Sequence, residues 1–452
     1  MYGADVAELR ALAAQFERTA DQLDGNRMAV GSAIRISAWV GPFAATFRVQ
    51  WDSEHSRRIA GAVALLRENA HRARANADAQ ERTSAADTGS IGSSTAGPRV
   101  LHVPAQGTSP NDVRDWWSSL TPDEQKRLIN HDPLEIGNLN GVPLDARAEA
   151  NRITAESRLS SVSSRLVEMG DEPPEVNPLL AAVPALYALK LAEQDRWVSE
   201  HKALLDEQGY LKGVANGDRS LVVYDPGQER IVEMIGTPGP NTRNVITYLP
   251  GTGTDMSSFH RGGPQQVADY LVNADASGGT VAFVYKDGPW SSWGLPSSDT
   301  SNLNMDYAYQ KGQQLAAFQD ATATEPYFQG ARTIGIAHSA GMTILSASEA
   351  GANHYDKELS LGGAMLAPGW HADPTTDYYH YQYGVDAINY ANPIGDLPVE
   401  SDAFDKRVYA PNTTTVLGIE IQNELDNHGR IASGPTANQM ALLDMYKDIH
   451  RD

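Results

Sequence analysis

The chain has 452 residues, 41% of them hydrophobic, a formal net charge of −21 and no cysteine. That length allows two or three domains with a sizeable core, while the acidic balance speaks against nucleic acid and anionic membrane surfaces as partners. The lack of cysteine excludes disulfides, thiolate metal sites and thiol nucleophiles, no apolar run approaches the roughly 18 residues that span a bilayer, and the amino terminus lacks the basic and apolar blocks of a secretory signal peptide.

From Tyr2 to about Gly25, apolar residues recur every three or four positions at Val6, Leu9, Leu12, Phe16, Ala20 and Leu23, the stripe of an amphipathic helix. A second such stripe starts near Pro42 with Phe43, Phe47, Ile59, Val63, Leu66, Ala70 and Ala73. Trp39-Val40-Gly41 lies between them. Two long helices joined by a Trp-x-Gly turn resemble the WXG family of type VII secretion substrates, which implies, for residues 1–83, an antiparallel hairpin that pairs with a helical partner protein and export by a type VII-type route. An ordinary helical hairpin packed on the rest of the protein is the other reading.

Residues 84–108 are rich in Ser, Ala, Thr and Gly without periodicity, the composition of a flexible tether. Residues 109–213 read as a helical pre-domain that packs on the domain after it and covers its cleft. Asp112 and Thr121 are its expected helix caps, and Trp116 and Trp117 its core anchors.

After Gly213 the pattern turns to short β-rich runs. Ser220–Tyr224 and Arg230–Ile235 flank Asp225-Pro226-Gly227-Gln228 as a hairpin. Strands at 244–249, 280–285, 332–337 and 359–366 then alternate with helices at 264–273, at 305–322 and after Ser339, which calls for a mostly parallel sheet covered on both faces. In such sheets ligands bind beyond the carboxyl ends of the strands, where Ser339 falls.

The most informative stretch is Thr333-Ile334-Gly335-Ile336-Ala337-His338-Ser339-Ala340-Gly341-Met342. An apolar strand ends in a small-x-Ser-x-Gly turn and resumes as a helix, the setting of a nucleophilic serine whose neighbouring amides face developing charge. As a plain structural feature, the same serine would cap a helix. Taken with Leu221–Tyr224, the Leu249-Pro250-Gly251-Thr252-Gly253-Thr254 loop, Trp116-Trp117 and the 136–143 segment, the chain from about 109 to 452 resembles an actinobacterial α/β-hydrolase family. That family commonly has Gly-His-Ser where this chain has Ala337-His338-Ser339. The resemblance implies an α/β-hydrolase catalytic domain at 214–452, with a mostly parallel central sheet preceded by the all-α hairpin and the helical pre-domain.

Chain order in this fold puts an acid and then a histidine after the serine. His354, His371 and His380 come too early and His450 belongs to a terminal helix, which leaves His428, after the strand-like 414–421, as the base. The expected acid is Asp396, which follows the strand-like 384–390 in a Gly-Asp turn resembling that of many lipases. Asp402 and Asp405 are weaker competitors, and Asp377 lies before that strand. The Ala340 amide is one expected oxyanion donor, and by resemblance Thr252, with Gly253 beside it, supplies the other. Trp290, Trp293 and Trp370, with Tyr378 and Tyr379, are read either as the wall of an acyl pocket or as lid and core residues.

The resulting expectation is a serine esterase or lipase working through an acyl-enzyme, with no metal or organic cofactor, acting on an ester or lipid substrate. A cytoplasmic peptidase or thioesterase on the same fold, and a non-catalytic binding protein that keeps the sheet, stand as alternatives.

Overall fold

The computed structural model describes residues 6–36, 47–48, 51, 56, 59–60, 63, 66–67, 69–70 and 74, and then 101–451 apart from 294–297, 352, 385, 392–394 and 417–418. The chain divides into two compact units, 1–100 and 101–452. The Trp39-Val40-Gly41 turn and residues 84–100 of the expected tether lie outside the described residues.

In the first unit, α1 (Val6–Ile36) runs past Gly25, where the expected helix stops. A helix-interior glycine costs only about 1 kcal/mol relative to alanine, so a continuing apolar pattern carries the helix through it. Arg48 Nε donates to the Ile34 carbonyl at 3.2 Å, Arg27 to Ser56 Oγ at 3.1 Å, Arg67 reaches Asp24 at 3.9 Å, and Arg74 pairs with Glu17. Partners of rising number meet α1 residues of falling number, so the two segments run antiparallel. Small buried residues, Ala13, Ala20, Val63 and Ala70, belong to this unit's interior.

The second unit opens with Leu101 and Val103, residues of the expected tether, packed against a small core of Val113, Trp117, Leu128, Ile136 and Leu139. Its first helices are α2 (Pro110–Ser118), α3 (Pro122–His131), α4 (Pro133–Gly137), α5 (Leu144–Met169) and α6 (Pro184–Ala215). Thr121 caps α3 in a reciprocal capping box with Glu124, as its position suggested. The cap of α2 is Ser109 rather than Asp112, which instead gives its amide to the Ser109 hydroxyl.

Among the described residues ten strands follow: β1 (Ser220–Asp225), β2 (Arg230–Ile235), β3 (Asn244–Leu249), β4 (Thr280–Lys286), β5 (Arg332–His338), β6 (Lys357–Leu361), β7 (Asp377–Tyr383), β8 (Asp405–Tyr409), β9 (Thr413–Val416) and β10 (Ile419–Gln422). Between and after them lie α7 (Met256–His260), α8 (Gln266–Ala274), α9 (Met305–Ala323), α10 (Gly341–Ala350), α11 (Glu424–Arg430) and α12 (Pro435–His450). The first eight strands form one sheet in the order β1-β2-β4-β3-β5-β6-β7-β8, and β9 and β10 form a separate antiparallel pair. Only β2 runs against its neighbours; from β4 to β8 all pairings are parallel.

Every residue of β3 and β4 is buried, the mark of a sheet covered on both faces. On one face Ile246, Val284, Ile336 and Tyr381 pack with Leu271 of α8 and with Leu442 and Met445 of α12. On the other, Val245, Phe283 and Ala337 pack with Phe318 of α9 and Leu345 of α10. At fully buried sites, each such aliphatic or aromatic side chain contributes roughly 1.5–3 kcal/mol by leaving water.

The pre-domain seals the sheet's β1 edge. Asn138 donates to the Tyr224 carbonyl and accepts from its amide, both at 3.0 Å, so one side chain imitates a strand partner. Asn151 does similar work on the Leu221 carbonyl at 3.0 Å. Pairing an edge this way removes a template for aggregation. Arg114 ties the same layer to Glu325, just beyond α9, at 2.8 Å. These contacts put the pre-domain on the sheet's β1 edge, with β2, β4 and β3 between β1 and β5.

Candidate active site

Ser339 stands one residue beyond β5, where the chain turns sharply into α10. Its φ is +52°, and Glu229 is the other non-glycine residue with positive φ among the described residues. That conformation costs an L-residue about 1–2 kcal/mol. The strain is held by three main-chain bonds: the Ser339 amide donates to Leu361 O at 3.2 Å, and its carbonyl accepts from Met342 at 3.0 Å and Ala364 at 2.9 Å.

Glycines let the neighbouring loop close on this turn. A Cβ on Gly341 would stand 2.7 Å from Leu249 O, and one on Gly251 would stand 2.7 Å from His338 Nδ1 and 3.1 Å from Ser339 Cβ. The loop after β3 is therefore pressed against the serine, as the Gly-Thr-Gly-Thr reading required. Trp290 braces it from behind, donating through Nε1 to Pro250 O at 3.0 Å.

The histidine arrives from far along the chain. The ring of His428, on α11, lies 4.8 Å from that of His338, the residue before the serine, and His338 Nε2 meets the His428 carbonyl at 3.1 Å. A carbonyl only accepts, so His338 carries its proton on Nε2. Burial, reinforced by repulsion from His428, pushes the His338 pKa down to about 3, so this ring stays neutral across the working pH range.

His428 Nδ1 bonds Asp386 Oδ1 at 2.8 Å. With the Asp386 side chain fully buried and His428 about one-fifth exposed, the carboxylate holds the proton on Nδ1 and leaves Nε2 basic. The same Oδ1 accepts the Ile388 amide at 2.9 Å, and the Asp386 amide donates to Asn389 Oδ1 at 2.8 Å. Gly362, which follows β6 with φ +51°, makes room for the pair: a Cβ there would stand 2.7 Å from Asp386 Oδ2 and 3.1 Å from His428 Nδ1.

Asp396 is thus not the partner of His428. It is exposed on the rim of a separate cavity of about 560 Å³, shared with Trp370 and His371, where its carbonyl accepts the Leu366 amide at 2.8 Å. The strand that sets the acid runs from Asp377 to Tyr383, not 384–390, and 387–391 is a short 3₁₀ turn. The acid falls three residues beyond the true strand end. Alternating tyrosines at 379, 381 and 383 carry the sequence signal for this strand, since aromatic residues at period two suit a buried strand.

The oxyanion positions separate. Gly253 gives its amide to Ser291 O at 2.7 Å and is not free to receive an oxyanion, whereas the amides of Ala340 and Thr252 have no partner among the described residues. Of the tryptophans, Trp290 is a buried strut, Trp293 is 77% exposed, and Trp370 donates to Glu349 while packing on Tyr378 and Phe404. Tyr379 belongs to the opposite face of the sheet from Tyr378. These aromatics do not gather into a single wall. No group of three or more His, Asp or Glu side chains suited to a metal is found among the described residues.

A serine in a left-handed turn after the fifth strand, a histidine–aspartate pair beyond the following strands, and this strand order with β2 reversed define an α/β-hydrolase fold. No family model matches the sequence. Two uncharacterized proteins of Mycobacterium tuberculosis, from strains CDC 1551 and H37Rv, are each 31% identical over 165 residues. The match spans 34% of this chain and 24% of the length of each relative. Among solved structures, dienelactone hydrolase from Anabaena variabilis aligns over 48% of this chain and 89% of its own at 16% identity, with a TM-score of 0.30. A dienelactone hydrolase-like promiscuous phosphotriesterase from metagenomic libraries aligns over 51% of this chain and 95% of its own at 13% identity, with a TM-score of 0.31.

Proposed function

We propose that the second unit is a serine hydrolase that cleaves carboxylic esters, with Ser339 as nucleophile, His428 as general base and acid, and Asp386 as the carboxylate that orients the base. The observation that carries this reading is the 2.8 Å bond from His428 to a fully buried carboxylate, beside a serine in a strained turn. Neither feature serves a helix cap.

In this reading His428 Nε2 takes the Ser339 proton as Oγ attacks the ester carbonyl, and charge on the carbonyl oxygen is met by the Ala340 and Thr252 amides. The imidazolium then protonates the leaving alkoxide. Water, deprotonated by the same nitrogen, attacks the acyl-enzyme and frees the acid. Asp386 stabilises the imidazolium throughout without taking its proton.

A fluorophosphonate probe tests the assignment. Wild type is expected to label at Ser339 and to turn over a p-nitrophenyl acyl ester, and both are lost in Ser339→Ala and His428→Ala. Labelling that survives in folded His428→Ala removes the base from the scheme.

We also propose that residues 1–83 are a WXG-type module that pairs with a helical partner and directs export by a type VII-type route. The antiparallel order in which Arg48, Ser56, Arg67 and Arg74 meet α1 supports it. Recovery of the protein from culture medium that is unchanged by deleting residues 1–83 rules this out.

A further inference from the structure

A cavity of about 640 Å³ opens at the carboxyl ends of β1 and β4, and neither Ser339 nor His428 lines it. Lys311 of α9 stands in its wall, only 8% exposed. Its Nζ donates to two uncharged acceptors, the Asp287 main-chain carbonyl and Gln314 Oε1, the latter at 3.2 Å. The carboxylates beside it are engaged elsewhere, Asp287 with Arg230 and Glu229 with Lys286 at 3.5 Å. A buried ammonium without a carboxylate of its own is unfavourable. Burial, opposed by Asp287 and aided by repulsion from Lys286 and Arg230, brings this amine down to about 8. A neutral amine has two hydrogens and one lone pair, so the two acceptors hold both hydrogens and the lone pair is left over. The space beside it is open. A Cβ on Gly288, where φ is +93°, would stand 2.8 Å from Nζ, and the next heavy atom outside that glycine's chain neighbours is Gln228 O, at 4.0 Å. Gly288 and Gln228 both line the cavity, so a ligand held there meets the amine on this side.

We infer that Lys311 is a covalent capture site for a small uncharged aldehyde held in this cavity. A desolvated amine with a free lone pair is a nucleophile toward a carbonyl carbon. Nζ forms the new bond to that carbon. Both amine hydrogens then leave with the carbonyl oxygen as one water, and a C=N bond joins lysine and ligand. Once the amine is neutral, the lining carries one cation, Arg230, against Glu135, Asp225 and Glu229, a balance that repels an anionic carbonyl compound. Ester cleavage at Ser339 makes no use of this amine, so the two assignments stand or fall separately.

The test is brief exposure of the full chain to glycolaldehyde, then borohydride to fix the C=N bond, with peptide mass spectrometry to measure the adduct at each lysine. Lys202 and Lys447, with side chains 68% and 58% exposed, are the internal standards. At pH 7.4 an amine held near 8 is neutral in roughly one molecule in five, against roughly one in a thousand at the ordinary 10.5. Lys311 is therefore expected to carry at least about ten times the adduct of either standard, with burial absorbing the rest of that advantage. The excess is expected to shrink by more than about tenfold at pH 10, where an ordinary lysine amine has itself lost much of its charge. Glyoxylate, of the same carbon number but anionic, is expected to show a smaller excess at Lys311. Gly288→Ala, which fills the space beside Nζ, is expected to lose the Lys311 adduct and keep those of the standards. A Lys311 adduct no greater than the standards at pH 7.4, an excess unchanged at pH 10, or an excess as large with glyoxylate each overturns the proposal. So does a folded Gly288→Ala that labels at Lys311 as wild type does, and if that variant fails to fold, the wild-type pH and charge comparisons decide.

Discussion

On the β3 side of Ser339 the site is made of main chain, and on the β6–β7 side it is made of side chains. The first side is a close approach of backbone: Gly251, Gly341 and the Trp290 strut bring a loop from after β3 onto the serine with backbone atoms and one indole N–H. The second is a charged pair. Asp386 and His428 are 42 residues apart in sequence, and they meet over Gly362, a third segment of the chain. Main-chain donors depend on the path of the backbone and tolerate many side chains, while the charged pair depends on two specific groups at one distance.

That contrast can be broken from either side. The largest expected effect is Asp386→Asn, which keeps the shape but favours the wrong tautomer of His428, with turnover down by up to about 10⁴-fold. Ester hydrolysis at saturating substrate measures it, and a loss under tenfold would mean that another carboxylate orients the base. On the main-chain side, Gly341→Ala places a Cβ 2.7 Å from Leu249 O, where no flexible side chain can yield. We expect a loss of about 1–3 kcal/mol in urea unfolding, with slower labelling of Ser339.

A third measurement sharpens the comparison through pH. Burial holds His338 at about 3 and His380 at about 4, against 6.5 for a free imidazole. Between those values the unfolded chain binds protons that the folded one refuses, so stability is complete above about pH 6.5 and drains as pH falls toward 4 and then 3. The slope is at most about 1.4 kcal/mol per pH unit for each ring. Thermal unfolding across pH 7 to 4 should show this decline, and His338→Gln should flatten it while lowering turnover through the lost bond to His428 O. An unchanged slope would mean that His338 titrates normally. The smallest effect expected is that of Asp396→Asn, within about 0.5 kcal/mol in stability, since Asp396 is exposed, and within about twofold in turnover. A large loss there would restore Asp396 to the mechanism.

Much of this is legible in the amino-acid sequence. The hairpin at β1 and β2, the strands β3, β4 and β5, the helix α9 and the elbow at Ser339 follow from runs of apolar residues punctuated by glycine and proline, patterns that local sterics and burial impose on their own neighbours. His428 followed from chain order within the fold. The acid did not, because β7 was read seven residues late: the tyrosines at 379, 381 and 383 mark a strand only once both faces are known to be covered. β8 was missed for the opposite reason. It is an edge strand with Lys406, Arg407 and an exposed Val408, so it lacks a buried face's pattern.

The amino-acid sequence alone therefore determined the alternation of strands and helices and where along the chain the serine turn and the glycine-rich loop fall, since each follows from residue types within a few positions of one another. Which carboxylate meets His428, that the Gly253 amide is already taken, and that the pre-domain pairs the β1 edge were decided by tertiary packing. Those outcomes depend on distances between segments tens to hundreds of residues apart, and no local preference encodes such a distance.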